Sequence, residues 1–314
     1  MVSSNRQTLS TWTYWAMYGG VKLLSLIPIR IGQSIGRILG RVLAGALKRR
    51  VTSSLNNLRY VFGQTLSEAE LIGLNGRIIA HFAQMLFEVP HILRLRPGNL
   101  NRYVVFENEE ALIRAVAKGR GVFMLTGHFG NWELMSAAAA LRFRARNAVV
   151  VRPADFEPAD RLLTTLRSRF GTEIIPKHRA MKKLLAVEKE NKVIGILLDQ
   201  NVAWYEGVFA PFLDKPACTN KGLALVSLRT GSPVVPIFSV RQPDGRYRII
   251  FEDEVVLKRT GDKIRDIEEN TAIFNQIIEK YVRRHPDHWF WFHKRWKTRP
   301  DCPISKPDAG RSEA

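Results

Sequence analysis

The sequence predicts an α/β fold in which a sheet is flanked by helices, preceded by an N-terminal helical region. From about residue 99 onward, short apolar runs alternate with longer helical stretches, which is typical of strand-helix-strand units. The first 98 residues instead have apolar positions at helical spacing. Because 46% of the 314 residues are hydrophobic, we expect a well-buried core.

The predicted strands are short, and most of them are rich in β-branched residues. They lie at 122–126, 148–151, 193–198, 234–240 and 246–252. Helices are expected between them at 132–143, 158–170, 180–190 and 219–230, and a long one follows at 264–284. We therefore divide the chain into a membrane-anchoring and helical region at 1–98, a main α/β domain at 99–300 and a disordered tail at 301–314.

The chain is strongly basic, with 48 Lys and Arg against 29 Asp and Glu, which gives a formal net charge of +19. Such a charge favours an anionic partner: nucleic acid, a phospholipid surface or an acidic carrier protein. The two cysteines, Cys218 and Cys302, have neither metal-ligand spacing nor clustered histidines. We therefore expect no metal site, no disulfide framework and no cofactor.

The apolar segment at 9–29 contains one charged residue, Lys22, and has about the 20 residues that a membrane-spanning helix needs. A basic flank follows, from Arg30 to Arg50, which favours a cytoplasmic location for the rest of the chain. We predict membrane attachment, either across the bilayer or within its interface. The alternative is an amphipathic or buried core helix.

The most specific local motif runs from Gly127 to Glu133, between a predicted strand and a predicted helix. On one continuous helix, His128 and Glu133 would point about 140° apart. If His128 lies in the glycine-flanked loop and Asn131 caps the next helix, Glu133 falls in the first turn and can fold back to the imidazole. Glu133 would then orient His128 as a general base for a hydroxyl that attacks an acyl thioester directly. The alternative is a helix cap beside a histidine with no catalytic role.

Three further polar residues follow predicted strands, where open α/β sheets place their ligand crevices. Arg152 is suited to holding a lipid phosphate or stabilising an oxyanion, although a surface salt bridge is the alternative. Asp199 and Gln200 are expected in the same crevice, or else in a cap or an ordered loop. Phe209 and Phe212 suit an acyl-chain wall, or simply the core.

The aromatic and basic segment at 289–296 is interpreted as a strand whose basic end meets anionic headgroups. Stacking on single-stranded nucleic acid and a core strand edge are the alternatives.

These blocks resemble the lysophospholipid acyltransferase superfamily, and within it the bacterial lipid A biosynthesis acyltransferases, also called late or secondary acyltransferases. The shared feature is a histidine and an acidic residue separated by four others, here His128 and Glu133. Further matching blocks lie at 151–153, 199–200, 207–212, 216–219, 233–236 and 286–297, the last with a looser basic pattern at 292–294.

The resemblance implies a glycerolipid-acyltransferase-like mixed sheet and a catalytic set of His128, Glu133 and Arg152. We expect the substrate-binding residues to be Asn131, Asp199, Gln200, Phe209 and Phe212.

The function that the resemblance implies is transfer of a fatty acyl chain from an acyl carrier protein to a hydroxyl of a lipid A precursor or related glycolipid. The location would be the bacterial inner membrane, with the catalytic domain on the cytoplasmic side. One alternative is another lipid acceptor, such as a lysophospholipid, a mannoside lipid or an aminolipid, with an acyl-coenzyme A donor. A non-catalytic basic membrane scaffold is another, and nucleic-acid binding is not expected because no recognised binding motif is present.

Overall fold

The computed structural model describes residues 2–46 and 48–300, so the predicted tail at 301–314, with Cys302, lies outside the described residues. Four helices come first: α1 (Val2–Leu24), α2 (Ile29–Ala46), α3 (Lys48–Phe62) and α4 (Glu68–Glu88). Two glycines let α2 lie directly on α4. A Cβ atom at Gly36 would stand 2.6 Å from Cα of Gln84, and one at Gly40 would stand 2.8 Å from Cα of Ala80.

A seven-stranded mixed sheet forms the centre of the molecule. In chain order the strands within the described residues are β1 (Val104–Glu107), β2 (Val122–Thr126), β3 (Asn147–Val151), β4 (Glu173–Pro176), β5 (Val193–Leu197), β6 (Gly207–Phe212), β7 (Lys215–Asn220), β8 (Val234–Arg241) and β9 (Tyr247–Phe251). The sheet order is β1-β9-β8-β2-β5-β3-β4. Only the β8–β9 pair in it is antiparallel, while β6 and β7 form a separate hairpin.

Helices cover both faces of this sheet. They are α5 (Glu109–Ala117), α6 (Trp132–Phe143), α7 (Glu157–Arg167), α8 (Ala180–Leu185), α9 (Val187–Glu190), α10 (Gly222–Thr230) and α11 (Lys263–Arg284). Strand β2 is buried along its whole length because its side chains alternate between two cores. Phe123 and Leu125 pack with residues of α3, α4, α10 and α11, whereas Val122 and Met124 pack with residues of α5 and α6.

Most predicted elements are confirmed, including the strand at 122–126 and the helix at 132–143. The predicted helix at 219–230 begins later, because the chain up to Asn220 belongs to β7. The predicted strand at 289–296 is wrong. That segment makes turns, with one isolated bridge from Trp289 to Phe129, because Trp289, Trp291, Arg295 and Trp296 are packed into the interior. Arg295 is fully buried and therefore does not face a headgroup layer.

The N-terminal helix α1 packs along α7. Tyr14 hydrogen-bonds Thr165 at 3.2 Å, and the guanidinium of Arg161 lies 4.2 Å from the centroid of the Tyr14 ring. The side chains of Trp12 and Trp15 remain mostly exposed. Within the part of the chain that is described, none of the helices combines the length and the apolar character needed to cross a bilayer.

Candidate active site

His128 lies in a tight loop at the carboxyl end of β2, as the glycine-flanked motif predicts. Gly130 has a positive φ of +60°, and a Cβ atom there would stand 1.8 Å from the carbonyl oxygen of Ser239, so this position requires glycine. The loop then enters α6, where the side chain of Asn131 accepts a hydrogen bond from the amide of Leu134 at 3.0 Å. The predicted cap at Asn131 is therefore confirmed.

The imidazole of His128 is held by Asp199, which follows the neighbouring strand β5. Nδ1 of His128 lies 2.8 Å from Oδ1 of Asp199, and the backbone amide of His128 donates to Oδ2 at 2.8 Å. Nε1 of Trp289 donates to the same Oδ2 at 2.7 Å. This carboxylate accepts a hydrogen bond from Nδ1–H of His128, which leaves Nε2 as the basic atom. Nε2 lies 3.3 Å from Nε2 of Gln200.

Asp199 is ionised in this setting. Burial alone would raise the pKa of its carboxyl, but the charge of His128 and the hydrogen bonds from His128 and Trp289 lower it to about 2. The sequence motif does not indicate this contact, since Asp199 was expected to bind substrate. A buried acceptor-only carboxylate against Nδ1 is suited to stabilising a positively charged imidazolium.

Two residues of the segment at 289–296, His293 and Arg295, contribute to the electrostatic environment of the site. Burial lowers the pKa of His293 to about 4, so this ring is neutral near pH 7, and its Nδ1 has no hydrogen-bond partner among the described residues. Burial also lowers the pKa of Arg295, to about 10, which leaves it charged. Nη1 of Arg295 donates to the carbonyl oxygens of Gln200 at 3.2 Å and Cys218 at 2.9 Å, and so holds the backbone beside Asp199.

Glu133 does not make the contact that its spacing predicts. Its carboxylate is bound by Arg167 of α7, through Nε at 2.8 Å and through Nη2, and it accepts a hydrogen bond from Nε1 of Trp132 at 3.1 Å. The expectation that Glu133 folds back onto His128 is therefore corrected: Asp199 already occupies Nδ1 of His128, and Arg167 draws Glu133 the other way. Glu133 instead holds Trp132, whose ring meets that of His128 edge to face, with centroids 5.1 Å apart.

Two other predicted residues have structural partners that differ from the expectation. Asn131 is fully buried, and its amide nitrogen donates to Oε2 of Glu88 at 3.0 Å, so it positions the loop and is not open to substrate. Arg152 stands at the carboxyl end of β3 with its side chain 78% exposed, and it pairs with Asp155 at 3.0 Å. This is the surface salt bridge named above as the alternative for Arg152.

Phe209 and Phe212 lie on the same strand, β6, but in different environments. Phe209 is 39% exposed, whereas Phe212 is fully buried and its ring centroid lies 5.3 Å from that of Trp289. Phe212 is thus a core residue behind the Asp199–Trp289 hydrogen bond, which corrects its assignment to a substrate wall.

An aromatic cluster surrounds the exposed side of His128. The ring centroids of Phe290 and His128 lie 6.2 Å apart, and Phe290 also contacts Trp132, Phe82 and Phe292. All four aromatic residues are partly exposed. Phe82 comes from α4 and was not predicted, because its helix precedes the motif and only the fold brings it there. The cluster gives the site an apolar rim.

A narrow cavity of about 70 Å³ lies between α6 and the sheet, and Trp132 is part of its wall. Its walls are almost wholly apolar, and they include small residues of α6 and the centre of β5. The lining includes Met124, Met135, Ser136, Ala139, Phe143 and Gly195. No group of three or more His, Cys, Asp or Glu side chains in the described parts of the chain is placed to bind a metal ion.

The other side of the loop that carries His128 rests on a buried polar network centred on Glu88 of α4. Its carboxylate accepts hydrogen bonds from Arg241 at 3.0 Å, Tyr247 at 2.8 Å and Asn131 at 3.0 Å. Arg241 also contacts Nδ1 of His81 at 2.8 Å. The pairing compensates a buried carboxylate and ties α4 to the loop that carries His128.

Comparisons with known proteins agree with the family resemblance of the sequence. The family model described as bacterial lipid A biosynthesis acyltransferase matches residues 2–298. The chain is 25% identical over 292 residues to the lipid A biosynthesis lauroyltransferase of Escherichia coli K12, covering 92% of this chain and 93% of that protein. It is 26% identical over 295 residues to the lipid A biosynthesis palmitoleoyltransferase of the same organism, covering 91% and 92%. A lipid A biosynthesis acyltransferase of Haemophilus influenzae is 22% identical over 293 residues, covering 92% and 89%. The resemblance is thus confirmed, and this chain, an acyltransferase, belongs to the bacterial lipid A biosynthesis acyltransferase family.

Proposed function

We propose that this acyltransferase moves a fatty acyl chain from the thioester of an acyl carrier protein to a hydroxyl of a lipid A precursor, with His128 as the general base. The observation that carries the proposal is the His128–Asp199 pair at 2.8 Å, which leaves Nε2 of His128 as an acceptor at a partly exposed, apolar-rimmed site. The family membership supports the acceptor class.

In the proposed reaction, Nε2 of His128 takes the proton of the acceptor hydroxyl as its oxygen attacks the thioester carbonyl. A carbon–oxygen bond forms, the carbon–sulfur bond breaks from the tetrahedral intermediate, and the imidazolium returns the proton to the thiolate. Asp199 stabilises the imidazolium throughout, in the manner of the carboxylate in a catalytic triad. The amide of Gln200, now 3.3 Å from Nε2, must give way to the acceptor hydroxyl.

The two other predicted catalytic residues have proposed roles at a greater distance from the imidazole. Glu133 acts as a positioning residue, because it holds Trp132 against His128 and joins α6 to α7 through Arg167. Arg152 lies at the same sheet edge as His128, two strands away from β2. A donor or lipid phosphate arriving at this edge would compete with Asp155 for its guanidinium.

We assign the acyl chain to the cavity beneath α6, since its walls are apolar and include Trp132, whose ring meets that of His128. A volume of about 70 Å³ is too small for a whole fatty chain, whose methylenes each need space of their own. Met124 and Met135 line the cavity, and their flexible side chains are suited to moving aside as a chain enters.

The proposed partners follow from charge and exposure. The net charge of +19 suits both an acidic carrier protein and an anionic lipid surface. Large apolar side chains are exposed along α1 and α2, next to exposed arginines, which is typical of a helix lying in a membrane interface. They include Trp12, Trp15, Leu23, Ile31, Ile38 and Val42. We propose that these helices attach the enzyme to the inner membrane, with the active site on the cytoplasmic side.

The test is to offer the purified enzyme a panel of acyl-carrier-protein and acyl-coenzyme A thioesters together with lipid A precursors and lysophospholipids. Mass spectrometry of the products identifies both donor and acceptor. We expect O-acylation of the lipid A precursor from the carrier protein, and none with His128→Ala. Transfer only to a lysophospholipid, or only from coenzyme A, would overturn the proposal in favour of the other lipid acceptors.

A further inference from the structure

A second cavity, of about 570 Å³, lies between α2, α4 and the end of β8. Four arginines contribute to its wall: Arg37 and Arg41 from successive turns of α2, Arg77 from α4, and Arg241 from β8. The close contact of α2 with α4 at Gly36 and Gly40 brings these side chains from separate helices to one opening. This arginine cavity is distinct from the apolar cavity beneath α6.

The positive charge of the arginine cavity is largely uncompensated. Arg241 is paired with the buried carboxylate of Glu88. Arg37, Arg41 and Arg77 form no ion pair within the described residues. Asp287 is the one carboxylate in the described wall, and the charge of Arg77 helps to lower its pKa. Three guanidinium groups share this wall with one carboxylate, so the like charges of the guanidinium groups repel one another. A multivalent anion would reduce that repulsion.

His81, which also lines the wall, does not change this balance at neutral pH. Burial, with the charges of Arg241 and His288, holds the pKa of His81 well below its usual 6.5, so His81 is neutral. His288 accepts a hydrogen bond at Nε2 from the backbone amide of Arg241 at 3.2 Å, and its Nδ1 contacts Asp287 at 3.0 Å. The charged hydrogen-bond donors of the wall are the guanidinium groups, whose planar fork matches phosphate oxygens.

The position of the arginine cavity indicates which kind of molecule could bring a phosphate group to it. Ile38 and Val42 lie on α2 beside Arg37 and Arg41, and their side chains are 61% and 69% exposed. Helix α4 presents Arg77 and His81 to the cavity, and the next residue, Phe82, belongs to the aromatic cluster around His128. A ligand here would lie between an exposed apolar surface and the catalytic rim.

We propose that the arginine cavity binds the phosphate group of a membrane lipid. The phosphate belongs either to the headgroup of an anionic phospholipid or to the phosphorylated glycolipid acceptor, and only the second source rests on the proposed function. Gly76 offers a way to close the cavity without altering its charge. This glycine lies in the wall on α4, and a Cβ atom there would meet nothing within 4 Å.

The experiment uses the full chain in neutral detergent and three variants. The first is the triple change Arg37→Gln, Arg41→Gln and Arg77→Gln, and the second is Gly76→Leu. The matched control removes the same charge from exposed arginines outside both the cavity and the helices α1 and α2: Arg102→Gln, Arg144→Gln and Arg229→Gln. Circular dichroism and thermal unfolding establish that all variants fold.

One arm measures co-flotation with phosphatidylcholine vesicles, with and without phosphatidylglycerol, and needs no turnover. The other measures KM for a phosphorylated glycolipid acceptor and for its dephosphorylated form. We expect the triple variant and Gly76→Leu either to bind the anionic vesicles about tenfold or more weakly, or to show a KM for the phosphorylated acceptor that is about tenfold or more higher. A change of this size is expected when charged hydrogen bonds to phosphate are lost, and the control should change much less.

Loss confined to phosphatidylglycerol vesicles identifies a phospholipid headgroup. A raised KM for the phosphorylated acceptor alone identifies the acceptor phosphate. If both cavity variants match the control in both arms, the arginine cavity is not a phosphate site. If no variant and no parent transfers acyl chains while the vesicle arm still responds, the proposed function fails and the phosphate site stands.

Discussion

Nδ1 of His128 lies 2.8 Å from Oδ1 of Asp199, a residue 71 positions further along the chain and at the end of the neighbouring strand. The same carboxylate accepts hydrogen bonds from the backbone amide of His128 and from the indole of Trp289. Three donors thus fix both the ring and its carboxylate. This arrangement makes Asp199 the orienting group of the pair.

Changing Asp199 to Asn should lower kcat by about 10²–10⁴-fold, the range for loss of general base catalysis, because an amide neither orients the same tautomer nor stabilises the imidazolium. Steady-state kinetics of the purified variant checks this, with His128→Ala as the reference for complete loss. Gln200→Ala serves as the control for disturbance near Nε2 without loss of the carboxylate. Parent-like kcat in a folded Asp199→Asn protein would show that the pair is not catalytic.

Glu133 and Arg167 should behave as a coupled pair. Both side chains are largely buried, so removing either partner leaves the other charge uncompensated and is expected to cost about 3–5 kcal/mol in unfolding free energy. The variants are Glu133→Gln, Arg167→Gln and the double change, compared by chemical denaturation and kcat. We expect the double variant to be no worse than the poorer single one. Strict additivity of the two changes in unfolding free energy would show that the two side chains are not coupled. Loss of activity in Glu133→Gln with full activity in Arg167→Gln would point to a direct contact of Glu133 with His128.

Acid conditions should destabilise the fold in part through Asp199. Its pKa falls from 3.8 to about 2 on folding, so the unfolded chain takes up this proton first as pH drops. The stability that it contributes is complete above pH 4 and is lost towards pH 2, on the order of 2 kcal/mol in all. Unfolding free energies between pH 2 and 5 should fall less steeply in Asp199→Asn than in the parent. Asp155→Asn, an exposed carboxylate, should keep the slope of the parent.

The apolar cavity beneath α6 should set the length of the transferred chain. Ala139→Phe narrows it and Phe143→Ala enlarges it, so the two changes should shift donor preference to shorter and to longer chains respectively. Each methylene gained or lost is worth about 0.8 kcal/mol, or roughly fourfold in kcat/KM. Competition between carrier-protein thioesters of different lengths measures the shift, and the opposite signs serve as mutual controls. Unchanged preference in both variants would place the chain elsewhere.

Arg152 remains a predicted catalytic residue, and its exposed pairing with Asp155 makes a sharp test possible. If its planar fork acts in the transition state, Arg152→Lys should lower kcat more than it raises KM. Asp155→Ala leaves the guanidinium free and should then preserve activity. If Arg152 serves only in its surface pair with Asp155, Arg152→Lys and Asp155→Ala should both have small and similar effects on kcat and KM, because isolated surface ion pairs usually contribute little.

Local chemistry was sufficient for much of the scaffold. Strand 122–126, helix 132–143 and the Asn131 cap follow from neighbouring residues, because apolar periodicity and capping depend on a few adjacent positions. The segment at 289–296 shows the limit of that reasoning. Its alternation of aromatic and basic residues suggests an exposed strand, but the surrounding helices and β6 bury its tryptophans and Arg295.

The amino-acid sequence alone predicts His128 in a glycine-flanked loop before a capped helix, and its ordered motifs indicate the family. Which carboxylate the histidine meets depends on the folded chain. Glu133 lies five residues away but is drawn to Arg167, whereas Asp199 arrives because β5 is hydrogen-bonded alongside β2. Parallel neighbouring strands bring their carboxyl ends to one edge, and strand order depends on packing across the whole sheet, not on local spacing.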